Sequence, residues 1–137
     1  MSAYKRILTE FRDRECLLRA LEKIGLPVEV SLKDNLSLYG YQGDRRAETA
    51  EFVIRRQHIG RSSNDLGYVW NAKAGAYEAI VSSYDTRCPA TTEIRRQVRQ
   101  QYAVAKVLKE ARRKGLRVVQ QRNEQGQIHL VLQGYAR

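Results

Sequence analysis

Four side chains with the chemistry of metal ligands or nucleophiles, Cys16, His58, Cys88 and His129, are spread over 137 residues. No two of them stand at ligand spacing, so the sequence specifies no metal site. The cysteines form neither a CxxC pair nor a disulfide framework, and isolated thiols suit a reducing, cytosol-like compartment. Cys88 precedes Pro89 in a basic neighbourhood, which would lower a thiol pKa, although an inert thiol is the simpler reading. A Cys88–His58 or Cys16–His129 couple would be a nucleophile and its base, but nothing in the sequence brings either pair together. Ser62-Ser63 and Ser82-Ser83 lack the GxSxG turn of a serine nucleophile. Glu48 and Glu51 lie near a strand start and read as solubilising. "GYQGD" has neither the lysine nor the following helix of a phosphate loop. The expectation is a chain with no catalytic residue, no metal and no cofactor, a binding module and not an enzyme.

Charge is the chemistry that stands out. The net charge is +10, and the stretch Arg87–Arg122 holds eleven basic and two acidic residues. One quarter of the chain therefore carries almost the whole excess. Within "EIRRQVRQQYAVAK", at about 100° per residue, Arg95, Arg99, Tyr102, Lys106 and Arg113 fall within about 60° of one another, with Arg96 flanking them. A face that only solubilises mixes signs to gain i,i+4 pairs, whereas Arg95 and Arg99 form a repelling i,i+4 pair. Arginine forks suit phosphodiesters, and a tyrosine among them can stack on an unpaired base. The candidate polyanion-binding residues are thus Arg95, Arg96, Arg99, Tyr102, Lys106 and Arg113, with RNA the favoured ligand. Tyr39, Tyr41, Tyr68 and Tyr77 would add stacking if exposed and suit a core equally well. Without a helix-turn-helix, zinc-finger or RNP signature, sequence-specific reading is not indicated. An acidic protein partner, or self-assembly, would satisfy the same stripe, and so would plain solvation. The oligomeric state stays open.

These residues need a scaffold. The chain fits one domain over 1–137, with 42 % hydrophobic residues and two prolines, enough for a core and too ordered for wholesale disorder. Apolar runs are too short to span a bilayer, and the opening "MSAYKRILTEFRD" is charged by position 5, unlike a signal peptide. "YKRILTEF" reads as a first strand. "DRECLLRALEKIG" reads as a helix capped by Asp13 and closed by Gly25, with Leu17, Leu21 and Ile24 on one face. From 28 to 84 alternation replaces the helical period. Leu36 and Leu38 oppose Tyr39 and Tyr41, Phe52 and Ile54 oppose Val53 and Arg55, and Leu66, Tyr68 and Trp70 precede Tyr77, Ala79 and Val81 across the "NAKAG" connection. "QHIGRSSND" reads as a loop.

A second helix is expected from Thr91 to Lys114, capped by Thr91 or Thr92 and ended by Gly115. Its apolar arc, Ile94, Val98, Gln101, Ala105 and Leu108, would lie on the sheet, which leaves no face for a membrane. Two strands around "NEQG" close the chain. The expected fold is α+β: a single, mainly antiparallel sheet of five or more strands with two helices on one face, in the order β-α-β-β-β-β-α-β-β.

The segments "LYGYQGDRRAETAEFVIRR", "DLGYVWNAKAGAYEAIV" and "RQVRQQYAVAKVLKEARRKGLRVVQQRNEQGQIHLVLQ" resemble small proteins of cyanobacteria and red-algal plastids classed as domain of unknown function 1257. The most specific pieces are the Gly40–Gly43 turn, the Gly67–Tyr77 stretch with Trp70-Asn71, and Gln101-Tyr102 leading to Gly115. Members carry further tryptophans after the central hairpin, where this chain has "SSYDTRCPA", and this chain is more basic. The resemblance implies a cyanobacterial cytosol or plastid stroma and a small soluble protein, and it supplies no activity.

Overall fold

The computed structural model describes residues 3–134. The chain runs β1 (Tyr4–Leu8), α1 (Arg14–Lys23), β2 (Glu29–Val30), β3 (Leu36–Tyr39), β4 (Arg45–Ala50), β5 (Phe52–Ile54), β6 (Leu66–Asn71), β7 (Ala76–Ser82), α2 (Pro89–Arg113), β8 (Leu116–Glu124) and β9 (Gln127–Gly134). Single 3-10 turns occupy Arg56–His58 and Asp85–Arg87. The α+β class, the two helices and a five-stranded antiparallel sheet match the sequence reading. That sheet has the order β1-β7-β6-β5-β2.

Alternation gives the sheet two apolar faces. Phe52, Ile54, Leu66, Tyr68, Tyr77, Ala79 and Val81 meet Cys16, Leu17 and Leu21 of α1 and Ile94, Val98 and Tyr102 of α2 in one core, so both helices cover the same face. On the opposite face Val53 and Ile80 meet Leu38 and Ala50. These last two belong to β3 and β4, which pair only with each other. A Cβ on Gly67 would stand 2.6 Å from that of Ala50, so the glycine is what lets this hairpin lie so close to the sheet. The expected single sheet is therefore three sheets, and six strands, not four, separate the helices. The added ones are the two-residue β2 and the charged β4, whose "RRAETA" carries no apolar alternation.

Local signals hold at α1. The Asp13 side chain accepts the Cys16 N–H, and Gly25 takes φ 81° just past the end. At α2 the N-cap differs from expectation. Cys88 occupies that position without a side-chain cap, and Pro89, with no N–H to satisfy, opens the helix. Gly115 ends it at φ 72°.

The β8–β9 hairpin forms a third sheet on α2, turning at Gln125-Gly126, both at positive φ. The Gln100 side-chain amide donates to the Gly126 carbonyl. Tyr135, expected to end the closing strand, lies outside the described residues.

Between β5 and β6 the polar residues Ser63, Asn64 and Asp65 are buried. The Asp65 carboxylate accepts the Tyr39 and Arg56 N–H groups and an Arg55 guanidinium N–H, each at 2.8 Å. Arg55 also binds Glu29 at 2.6 Å. This network joins β2, β3 and β5 behind the sheet.

Candidate nucleic-acid interface

The face of α2 that enters the core comprises Thr91, Ile94, Val98 and Tyr102, turned from the expected arc toward the cationic stripe. The cause lies on the other flank of the helix. Leu108 and Ala111 share a crevice with Leu116 and Val118 of the β8 hairpin, so part of the apolar arc serves that hairpin and not the sheet.

Tyr102 is consequently a core residue, 7 % exposed. Its ring lies 4.5 Å from that of Phe11, centroid to centroid, and its hydroxyl accepts the Arg12 and Asp13 N–H groups, each at 3.0 Å. The expectation that Tyr102 stacks on a base is corrected: the ring is closed to ligands.

Three stripe cations have internal partners. Arg96 binds Glu93 at 2.6 Å and Arg113 binds Glu110 at 2.8 Å, both one turn apart. The Arg96 pair, with Gln97 adding a hydrogen bond, holds the Glu93 carboxyl at about 2. Lys106 reaches Asp13 at 4.0 Å, where Lys109 already sits at 2.6 Å. The Lys109 hydrogen bond keeps the Asp13 carboxyl below its ordinary range, despite partial burial.

Arg95 and Arg99 remain. Neither has a carboxylate within 4 Å among the described residues. Burial raises the pKa of the Tyr68 phenol, and the charges of both arginines oppose that rise. Arg12 is exposed as well, and its backbone N–H is bonded to the Tyr102 hydroxyl, which fastens the junction of β1 and α1 to α2. The cations of the sequence stripe without a carboxylate partner thus contract to Arg95 and Arg99, and the exposed Arg12 is anchored to the same helix by a contact ninety positions along the chain.

Of the other tyrosines, Tyr68 and Tyr77 are buried, whereas Tyr39, Tyr41 and Tyr84 are open to solvent. Sequence reasoning missed Tyr84, which ends the alternating stretch and carries no signal of its own as a site residue. Glu51 is not a solubilising residue: its carboxylate accepts the Trp70 N–H at 3.1 Å and lies 3.8 Å from Arg14. The Cys88 thiol is pushed up, first by burial and then by the Asp85 carboxylate, the reverse of what its basic neighbours suggest. His58 and His129 are both exposed, and among the described residues no three His, Cys, Asp or Glu side chains converge as a metal site. No helix is long and apolar enough to cross a membrane.

No curated protein and no solved structure matches the chain. A family model does, over residues 20–131, and it spans the sheet from β2 to β7, the β3–β4 hairpin, α2 and most of the closing hairpin. Its extent shows that the chain belongs to the family described as "Protein of unknown function (DUF1257)".

Proposed function

We propose that this chain is a non-catalytic binding module of a cytosolic or stromal compartment that grips a polyanion, RNA in the first place, with Arg95, Arg99 and Arg12. The observation that carries the reading is the arginine pair one turn apart with no carboxylate in reach, while Arg96, Lys106 and Arg113 are paired. Two like charges at i,i+4 repel, and a bound phosphate relieves that repulsion with a bidentate fork. An acidic protein would offer carboxylates, but a protein interface also needs apolar ground at its centre. Val107 is the large apolar side chain of α2 that is exposed, two turns beyond Arg99.

Binding to about three phosphates of a single strand gives a salt slope of about −0.7 per phosphate, so affinity should fall roughly twentyfold between about 50 and 200 mM salt. Arg95→Glu with Arg99→Glu should abolish binding of a short single-stranded RNA and leave the melting temperature within a few degrees. Salt-independent binding would rule out the phosphate mechanism. Absent binding of any RNA or DNA at low salt would transfer the surface to an acidic protein, and an unfolded double variant would make the arginines structural.

A further inference from the structure

The open rings that α2 does not offer stand at its N-terminal end. A cleft of about 950 Å³ opens there, lined by Lys5, Tyr41, Ser62, Tyr84, Arg87 and Cys88. That is at the upper end of the size of ligand sites, about 300–1,000 Å³. Tyr41 is 45 % and Tyr84 53 % exposed, so each keeps ring surface in solvent that a tyrosine normally spends on a core. Lys5 and Arg87 have no carboxylate within 4 Å, and the Ser62 hydroxyl has no hydrogen-bond partner, among the described residues.

The two rings hang from anchored backbone. The Tyr41 N–H donates to Asn64 Oδ1 at 2.9 Å. On its other side the buried Asn64 donates its own N–H to Asp85 Oδ2 at 2.8 Å, and its side-chain amide reaches the same oxygen at 3.3 Å. Asp85 directly follows Tyr84. One asparagine therefore ties together the loops that carry both tyrosines, which lowers the ordering cost of a ligand that uses them. The Asp85 carboxylate is itself buried, accepts its hydrogen bonds from Asn64 and forms no ion pair with Lys5 or Arg87 within 4 Å.

Exposed rings, unpaired cations and a hydroxyl in one cleft suit a base with its phosphate. The geometry points to a stacking subsite: Tyr41 and Tyr84 take unpaired bases of a single-stranded RNA while Lys5 and Arg87 hold the flanking phosphates. This rests on the polyanion reading above and extends it. Pro89 borders the cleft, and Arg95 stands six residues on, about 9 Å along the helix axis, a span that one or two nucleotides cover. A duplex keeps its base faces stacked inside and cannot use the rings.

The test uses the full chain, a labelled single-stranded RNA of about ten nucleotides and its duplex. Tyr84→Ala and Tyr41→Ala should each weaken the single strand roughly tenfold and the duplex less than about twofold. Tyr84→Phe, which keeps the ring, should bind like the parent. Ultraviolet crosslinking should label peptides that contain Tyr41 or Tyr84. Unchanged single-strand affinity in both alanine variants, with binding still abolished by Arg95→Glu and Arg99→Glu, overturns the subsite and leaves the arginine reading intact. Equal losses for single strand and duplex, or crosslinks confined to other peptides, overturn it as well. No binding of any nucleic acid by the parent defeats both readings together.

Discussion

The Tyr102 hydroxyl is the sole acceptor, among the described residues, that reaches the adjacent Arg12 and Asp13 N–H groups from α2. These donors lie where the chain leaves β1 and enters α1, so the phenol fastens α2 to the start of the other helix. Tyr102→Phe keeps the ring against Phe11 and strips both donors of their acceptor. Leaving partly buried donors unmet costs about 1–3 kcal/mol, which a urea midpoint will show. RNA affinity should stay within about twofold, because the ring is shut away from solvent. The opposite pattern, unchanged stability with weaker single-strand binding, would return Tyr102 to the role that its helical position alone suggested. Arg95 and Arg99 differ in kind from their neighbours. Arg96 and Arg113 each spend their charge on a glutamate one turn away, and such exposed pairs stabilise little but leave less field for a ligand.

Between the helices, Asp13 has two tasks. It caps α1 by accepting the Cys16 N–H at 3.1 Å, and it receives Lys109 from α2 at 2.6 Å. Lys109 holds its carboxyl below the ordinary 3.8, so the fold prefers the ionised form. The resulting stability is complete above the unfolded pKa and is lost as pH falls through the lowered folded value. Asp13→Asn retains a capping oxygen, since asparagine caps about as well as aspartate, and removes the charge. The variant should be less stable than the parent at neutral pH, and the gap should close below a pH of about 3.8, as the parent's carboxyl protonates. Urea midpoints at neutral pH and near pH 3 measure this. A gap that does not change with pH would mean that the lysine contacts contribute nothing. The α1 cap and its Gly25 stop were legible in the sequence because every group involved lies within one turn. The α2 cap was not, because Pro89 supersedes a threonine by removing an N–H that would otherwise need a partner.

Over the whole molecule, the legible parts are those that local period decides: both helices, the facing pairs of β6 and β7, and the closing hairpin. Partners distant in sequence decided the rest. β4 is a strand because β3 pairs with it, and Asn64 and Asp65 are buried because groups more than twenty positions away, the Tyr39 and Tyr41 N–H groups and the Asp85 carboxylate, supply or accept their hydrogen bonds. Tyr102 turned inward because the β8–β9 hairpin took the opposite flank of the α2 arc. That hairpin is also where the molecule is least consolidated. No residue of β8 or β9 is buried, and Val119, Val131 and Leu132 are exposed. A two-stranded ribbon is marginal alone, and this one leans on α2 through Leu116, Val118 and the bond from Gln100 to its turn. β6 and β7 sit at the centre of the five-stranded sheet and are covered on both faces. Opening the hairpin exposes little apolar surface, whereas opening β6–β7 requires both layers to part, so the two should exchange amide protons at different free energies. In native-state hydrogen exchange, residues 116–134 should lose protection together and well before 66–82, while α2 from Ile94 to Tyr102 follows the sheet. Equal protection in the hairpin and the central strands would show that the β8–β9 ribbon is part of the cooperative core. The hairpin and α2 would then unfold as one body, and the surface that carries Arg95 and Arg99 would be braced from both sides.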